Sequence, residues 1–404
     1  MKANQLSFQI SYKSLLIIWY FSYVLIYPMF SMVTSTKISQ WLFNIVLLFL
    51  LVFVISKDRR ALKRDAIFVW LASLVALGIT CLIHPEYSDV LFGDTFNFVK
   101  SVFSLSGPLM GYLVIRTENN SKKLEWDLKI SAIIVWIAYT IKTFNGVKDV
   151  RYSSWTGDTS ILTYNQAYGF YFLFCAIVFL YFYLKEKKKI YIVPFLICVI
   201  QILMYASRTA VLSLVCYVIL YLFFEDTGKG SNQKKVLYSV ALIFVTLILN
   251  SNTFMTWVIS TIKNLGLSSK IIDAFVSGNN AIDGGRIYLY TEGWNAIVNN
   301  PLGLGVFCDR YLFGHYTHNI IIEILLDFGW FIGGALLVGL IVLIAKMLLS
   351  KRCVWKSFFL IFLSLTIVRL SLSYSFWQDA NFWIMIAIAV TYSKTGKYEV
   401  CQEK

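Results

Sequence analysis

Charged side chains are scarce in this chain of 404 residues: 14% of the residues are charged, whereas 58% are hydrophobic. The mean hydropathy is +0.68, and no soluble globular chain of this size needs so much apolar surface. Apolar runs long enough to cross a bilayer as a helix, about 20 residues each, recur along most of the sequence. The composition therefore excludes a soluble protein and indicates an all-α polytopic membrane protein.

Several motifs of nucleotide, metal or redox chemistry are missing. There is no GxxxxGK phosphate loop, no GxGxxG fingerprint, no HExxH pair and no DxD pair for a metal-bound nucleotide sugar. The seven cysteines include no CxxC pair, so neither a zinc site nor a disulfide framework is indicated. Acidic residues are rare inside the apolar runs, with Glu323 and Asp327 as the main exceptions, which argues against an ion-coupled transporter. We expect no cofactor and no metal.

The apolar runs predict about 12 transmembrane helices in a single membrane domain over 1–404. Most of the 36 basic residues fall in short segments on one side of these helices, which the positive-inside rule assigns to the cytoplasm together with both termini. The same rule accounts for the net charge of +14 without a nucleic-acid partner. The predicted spans are 14–33, 40–56, 66–83, 97–115, 128–144, 162–183, 190–206, 209–224, 236–250, 317–345, 355–372 and 376–393.

One extracytoplasmic loop, 251–316 between spans 9 and 10, is much longer than the others. Its amphipathic runs around Phe254–Leu265 and Ile287–Val298 predict short helices that lie on the membrane or cover a cavity. Pro301 is expected to end the second of these helices, and Gly303 and Gly305 to shape the turn that follows. Long loops with structure of their own are usually functional, so we expect the site here.

His318 follows this loop, at the start of a strongly apolar run. Thr317 is a suitable N-cap, which would place His318 in the first helical turn, where the helix dipole favours a neutral imidazole. A neutral imidazole close to backbone N–H groups suits a proton acceptor beside an anionic ligand. The alternative is an interfacial histidine that is merely hydrogen-bonded.

Five arginines lie in segments predicted to face the extracytoplasmic side or close to it. Arg208 stands at a tight turn between two spans and Arg286 in the long loop; the alternatives are a snorkelling anchor and a solvated loop residue, respectively. Arg369 is costly in an apolar helix and so favours function. Arg151 and Arg310 are further candidates, although both could be ordinary loop residues. Together these residues indicate metal-free chemistry directed at an anion.

The order of several short motifs resembles the bacterial O-antigen ligase/polymerase superfamily. No single motif is specific, but their order and the large loop before the histidine are. One departure is Thr209, where the family often has glycine. The motifs are Ser207-Arg208-Thr209-Ala210 at a span boundary, Gly285-Arg286 leading to Trp294, Asn300-Pro301-Leu302-Gly303-Leu304-Gly305, and His318-Asn319 followed by Gly329 and Gly333.

This resemblance implies a GT-C-like, lipid-linked glycosyltransferase in the bacterial cytoplasmic membrane, with its active site on the extracytoplasmic side. The substrate would be an undecaprenyl-pyrophosphate-linked oligosaccharide, and the partners would be membrane lipid and a chain-length regulator protein. Two arginines would stabilise the departing pyrophosphate, and a histidine with an ordinary pKa near 6.5 would deprotonate the attacking hydroxyl. The implied catalytic residues are His318, Arg208 and Arg286, and the substrate-binding candidates are Arg151, Arg310, Tyr316, Asn319 and Arg369.

Several functions remain open at this point. We favour a polysaccharide repeat-unit polymerase, which passes a growing glycan to the next lipid-linked unit. A ligase, which transfers the glycan to lipid A core or another acceptor, shares the same donor and leaving group. A lipid-linked oligosaccharide flippase suits twelve spans, but the single large loop and the lack of symmetry between halves argue against it. A membrane scaffold would leave Arg208, Arg286 and His318 unexplained.

Overall fold

The computed structural model describes residues 11–22, 36–144, 149–152, 159–162, 166–204, 208–225 and 286–399. Within these residues the regular structure is helical apart from one two-stranded hairpin. Strands β1 (Asp149–Tyr152) and β2 (Thr159–Leu162) pair antiparallel. The helices before residue 226 are α1 (Tyr12–Phe21), α2 (Thr36–Lys57), α3 (Arg64–Ile83), α4 (Ser88–Phe92), α5 (Phe98–Phe103), α6 (Pro108–Arg116), α7 (Ser121–Phe144), α8 (Gln166–Glu186), α9 (Ile192–Met204) and α10 (Arg208–Phe224).

The described helices after residue 285 carry the loop and the last spans. A π-helical turn over Gly329–Gly333 joins two of them, α13 and α14. They are α11 (Arg286–Asn299), α12 (Cys308–Phe313), α13 (Ile320–Phe328), α14 (Gly334–Leu348), α15 (Val354–Leu372) and α16 (Ala380–Glu399).

The length and composition of several helices are those of a helical membrane protein. In the described part of the chain, five stretches are long and apolar enough to cross a bilayer: Arg64–Ile83, Phe98–Arg116, Tyr168–Glu186, Ile320–Leu348 and Val354–Leu372. Three shorter apolar helices cover Trp41–Lys57, Lys189–Leu203 and Thr209–Phe224. Each of these eight stretches coincides with a predicted span, so the membrane character expected from the composition is confirmed.

Helix α8 lies at the centre of the described bundle. In the most apolar part of Tyr168–Glu186, 83% of the residues are buried inside the protein, whereas in that of Ile320–Leu348 the share is 11%. Helices α7, α9, α10 and α15 pack around α8, and α16 packs against α6 and α15. Burial on all sides explains why α8 is apolar all round, while the exposed apolar faces of α2, α3 and α14 are typical of contact with lipid.

Three predicted spans differ in detail from the observed helices. The span at 162–183 begins only at Gln166, because Thr159–Leu162 forms a strand instead. The span at 97–115 is divided between α5 and α6, and Pro108 opens α6 at a position where its missing N–H costs nothing. The span at 317–345 starts at Ile320 and is interrupted by the π-helical turn.

Some predictions lie outside the described residues. They are the span at 236–250, the end of the span at 14–33, and the amphipathic run around Phe254–Leu265. The second amphipathic run is described: the helix predicted over Ile287–Val298 is confirmed as α11, which ends at Asn299, before Pro301.

Candidate active site around His318

The segment after α11 is held against the end of α13. The backbone N–H of Leu304 donates to the carbonyl of Leu326 at 2.7 Å, and that of Trp330 donates to the carbonyl of Pro301 at 2.8 Å. These hydrogen bonds satisfy backbone groups at a helix end that would otherwise lack partners. They also fix where the chain enters the candidate site.

Two glycines allow this close crossing of backbones. Gly303 has φ +90° and Gly329 has φ +70°, a region that side chains strongly disfavour. A Cβ atom at Gly303 would lie 2.6 Å from the nitrogen of Gly329, and one at Gly329 would lie 2.3 Å from the oxygen of Pro301. These two positions therefore require glycine because the loop and the helix end are in close backbone contact there.

Helix α11 packs directly on α13. Gly293 is buried on this face, and a Cβ atom there would come within 2.8 Å of the side chain of Ile322. Trp294 meets Trp330 edge-to-face, with ring centroids 5.4 Å apart. Because the helices approach so closely, the first turn of α11, which starts at Arg286, is held beside the segment that precedes α13.

A buried ion cluster connects the loop to α13. The guanidinium of Arg310 lies 2.6 Å from a carboxylate oxygen of Asp309 and 2.8 Å from one of Glu323. All three side chains are at most 1% exposed. Buried charges in membrane proteins are tolerated when they are paired. Here the pairing joins the neighbouring Asp309 and Arg310 of the loop to Glu323 of α13.

The same carboxylates also hold the two segments on either side of His318. The second Asp309 oxygen accepts the backbone N–H of Thr317 at 3.0 Å. Glu323 accepts the hydroxyl of Ser375 at 2.5 Å and the backbone N–H of Phe376 at 3.1 Å. The ion cluster thus aligns the residue before His318 with the connection between α15 and α16.

The N-cap prediction for this region is wrong. The cap of α13 is Asn319, whose side-chain oxygen accepts the N–H groups of Ile321 and Ile322, and Thr317 instead binds Asp309. His318 therefore lies before the helix rather than in its first turn, with a left-handed φ of +58°. Such a backbone conformation is costly for a residue with a Cβ atom, and the contacts on both sides maintain it.

The imidazole of His318 is half-buried and neutral at pH 7. Burial first, and then the nearby charge of Arg286, lower its pKa to about 4, while backbone hydrogen bonding with Ser373 acts in the opposite direction. Tyr316 packs on the ring with centroids 4.3 Å apart. Neutrality was expected, but it results from burial and a neighbouring cation rather than from the helix dipole, and the pKa lies well below 6.5.

Arg286 faces His318 from the first turn of α11. Its charge acts on the imidazole, and Tyr290, one turn further along, places its hydroxyl 3.5 Å from the carbonyl oxygen of His318. Residues four apart share a helical face, so Arg286 and Tyr290 lie on the same face of α11. Arg286 has no carboxylate partner among the described side chains.

The start of α10 reaches the same place. Arg208 is the first residue of α10, although its side chain lies outside the described part. The hydroxyl of Thr209, the next residue, lies 3.1 Å from that of Ser373, in a buried contact. Ser373 in turn neighbours His318, so the backbone at Arg208 lies near the imidazole.

Arg369 lies one helical turn before Ser373, whose backbone N–H donates to the carbonyl of Arg369 at 2.8 Å. Its guanidinium stacks over Tyr374 at 3.9 Å and Phe170 at 4.4 Å and lies 3.6 Å from a carboxylate oxygen of the buried Asp379. Cation–π contacts keep an arginine charged in apolar surroundings. The arginine is thus positioned beside Tyr374, whose ring also meets Tyr316 edge-to-face at 6.0 Å.

The remaining candidates have other positions. Arg310 is the buried cation of the ion cluster, and its two carboxylates give it a structural role. Asn319 is occupied by capping α13. Arg151 lies in β1 opposite Ser160, and its side chain is outside the described part.

Sequence reasoning missed the residues that position the candidates. Asp309 is one of several carboxylates in loops, Tyr290 is one of 25 tyrosines, and Ser373 is a serine that follows the predicted span 355–372. Their importance arises from contacts between segments far apart in sequence. Only Glu323 could have been found, because a carboxylate inside an apolar run requires a partner.

In comparisons with known proteins, no family model, curated protein or solved structure matches this chain.

Replacement of Glu323 is expected to destabilise the site. Glu323→Ala leaves Arg310 with one carboxylate and removes the acceptor of Ser375 and Phe376, and breaking a buried ion pair costs about 3–5 kcal/mol. Thermal unfolding in detergent, followed by circular dichroism, measures the loss. Glu86→Ala is the matched control, because the carboxylate of Glu86 pairs with His84 at the surface and should contribute little. Equal loss in both variants would contradict a structural role for the cluster.

Removal of the charge at Arg286 is expected to raise the pKa of His318. Arg286→Gln takes away a cation that disfavours the imidazolium, so the pKa should move up from about 4 but stay below 6.5, because burial remains. NMR titration of the three histidines, assigned with His84→Gln and His315→Gln, gives the value. The exposed Arg60→Gln serves as control. An unchanged pKa would mean that the two groups do not interact.

Proposed function

We propose that this protein is a polysaccharide repeat-unit polymerase. It transfers a glycan from undecaprenyl pyrophosphate to a hydroxyl of another lipid-linked repeat unit, without a metal. The observation that carries the proposal is the meeting of three distant segments: His318, Arg286 at the start of α11, and the start of α10 at Arg208. The first two interact electrostatically, and the third is linked to them through Ser373.

The proposed reaction is a direct displacement. The acceptor hydroxyl attacks the anomeric carbon, the bond from that carbon to the pyrophosphate oxygen breaks, and the hydroxyl proton passes to His318. Negative charge moves to the leaving pyrophosphate, where Arg286 and Arg208 stabilise it, since guanidinium groups bind phosphate oxygens bidentately and stay charged. Attack from the opposite face inverts the anomeric carbon.

The low pKa of His318 makes it a weak base in the free protein, but the substrate changes its surroundings. A pyrophosphate bound at Arg286 brings negative charge beside the imidazole and offsets the cation that lowers its pKa. His318 therefore becomes more basic only when substrate is bound. This keeps the imidazole neutral beforehand and ready to accept a proton.

We propose that the protein crosses the bacterial cytoplasmic membrane 12 times, with both termini in the cytoplasm. His318, Arg286, the start of α10, and the connection between α15 and α16 all belong to segments predicted to lie at the extracytoplasmic side. Their meeting in one place supports this topology, because residues from opposite sides of a bilayer would be about 30 Å apart.

Replacement of the three candidate residues should abolish long glycans while the protein still inserts in the membrane. Loss of a charge-assisted contact of about 1.5–3 kcal/mol corresponds to a rate loss of about 10–150-fold for Arg208→Ala or Arg286→Ala. Loss of a general base costs about 10²–10⁴-fold for His318→Ala. Chain-length profiles of the surface polysaccharide provide the readout, with Arg60→Ala and His84→Ala as controls. Normal chain lengths in a variant would remove that residue from the site.

Purified protein given one synthetic undecaprenyl-pyrophosphate repeat unit, with no other acceptor, should form a ladder of products. The ladder should persist in EDTA, because arginines rather than a metal stabilise the leaving group. Gel electrophoresis of the released glycans separates the outcomes. Unchanged substrate would argue for a ligase or a flippase, and loss of the ladder in EDTA would overturn the metal-independent mechanism.

A further inference from the structure

A cavity of about 920 Å³ lies beside the candidate active site. One wall is formed by Trp41, Ile45 and Leu48, which follow one another along a single face of α2, and the other by the segment from Asp94 to Pro108. The size is within the range of small-molecule sites, about 300–1,000 Å³. The cavity is therefore large enough for several sugar rings.

The lining of this cavity combines apolar side chains with many polar ones and carries almost no net charge. Its charged side chains are one carboxylate, Asp94, and one amine, Lys100, while hydroxyl and amide groups form much of the rest. The amide oxygen of Asn44 is buried at this wall and has no hydrogen-bond partner in the described structure. A buried polar atom of this kind is unfavourable unless a ligand or water satisfies it. Such a lining suits hydroxyl groups rather than a diphosphate.

The apolar wall opens toward the membrane. Trp41 is 70% exposed, Ile45 58% and Leu48 47%, which on a membrane-spanning helix means contact with lipid. Polar groups therefore face a wall that borders the bilayer. A ligand with a hydrophilic head and a lipid tail fits this arrangement, because its tail can stay in the bilayer while its head enters the cavity.

Two residues of the cavity lining also contact the candidate active site. Tyr374 lines the cavity and also stacks against Arg369 and meets Tyr316, the neighbour of His318. Gln378 lines it as well, and its amide oxygen accepts from Arg310 at 3.5 Å. A ligand in the cavity would thus contact Tyr374, whose ring meets Tyr316, the residue that packs on the imidazole of His318.

We propose that this cavity binds the sugar chain of a lipid-linked glycan, next to the cationic centre that holds the diphosphate. The proposal rests on the proposed function and adds to it a separate neutral sugar subsite between α2 and the 94–108 segment. Hydroxyl groups of the sugar hydrogen-bond to Asn44 and to the serines of that segment. Trp41 and Tyr374 supply aromatic faces for the sugar rings.

Binding without turnover tests this subsite. The probe is the lipid-free repeat-unit oligosaccharide, released by mild acid from the polysaccharide of the host cell, and saturation-transfer NMR on detergent-purified protein measures its dissociation constant. The blocking variant is Thr95→Trp, at an exposed rim position of the cavity, and Ser88→Trp is the matched control at an exposed position outside it. Asn44→Leu removes the buried amide oxygen.

We expect wild type, Ser88→Trp and the inactive His318→Ala to bind the oligosaccharide equally. Thr95→Trp should weaken binding at least about tenfold, as steric exclusion removes several contacts, and Asn44→Leu should weaken it about 3–10-fold, the equivalent of one hydrogen bond. Unchanged binding in both variants would overturn the subsite. So would displacement of the sugar by phosphatidylglycerol vesicles, since the cavity would then hold a lipid headgroup.

The polymer ladder separates this proposal from the function on which it rests. A ladder with wild-type protein, together with unchanged oligosaccharide binding in Thr95→Trp and Asn44→Leu, would remove the subsite and leave the polymerase. Oligosaccharide binding that the two variants weaken as expected, without any ladder from wild type, would retain the sugar site and remove the polymerase.

Discussion

The arrangement of the candidate site depends on one buried carboxylate, that of Glu323. It pairs with Arg310 of the loop and accepts hydrogen bonds from Ser375 and Phe376 of the connection between α15 and α16. A carboxylate on a membrane-spanning helix is unfavourable without partners, and here the partners come from two other segments, the loop and the connection between α15 and α16. The requirement to satisfy this one charge therefore brings both sides of the site together and sets the position of His318 between them.

Two arginines close to Glu323 and His318 differ in whether a carboxylate neutralises them. Arg310 is neutralised by buried carboxylates, whereas Arg286 has no carboxylate partner among the described residues and acts on His318. An arginine that is already paired inside the protein adds little attraction for an anion, while one that faces a neutral imidazole can bind one. The difference between the two arginines thus follows from which carboxylates lie within reach, and among the described residues it leaves the charge of Arg286 beside His318 without a carboxylate partner.

Local patterns predicted local structure well. The amphipathic run at Ile287–Val298 forms α11, Pro301 follows the end of that helix, and Gly303 adopts the positive φ that only glycine tolerates easily. The cap at Thr317 was wrong, because Thr317 and Asn319 both suit an N-cap by residue type. The choice between them is made by Asp309, which takes the backbone N–H of Thr317 and leaves Asn319 to cap the helix.

By itself the sequence determined the membrane character, most of the apolar helices and the set of polar residues that are candidates for a functional site. These features depend on composition and on periodicities within one segment, which are visible without knowledge of the fold. Tertiary structure decided which of those residues meet. Contacts between positions far apart in the chain cannot be predicted from a pattern within one segment. Such contacts are the pairing of Arg310 with Glu323, the approach of Arg286 to His318, and the cavity between α2 and the 94–108 segment.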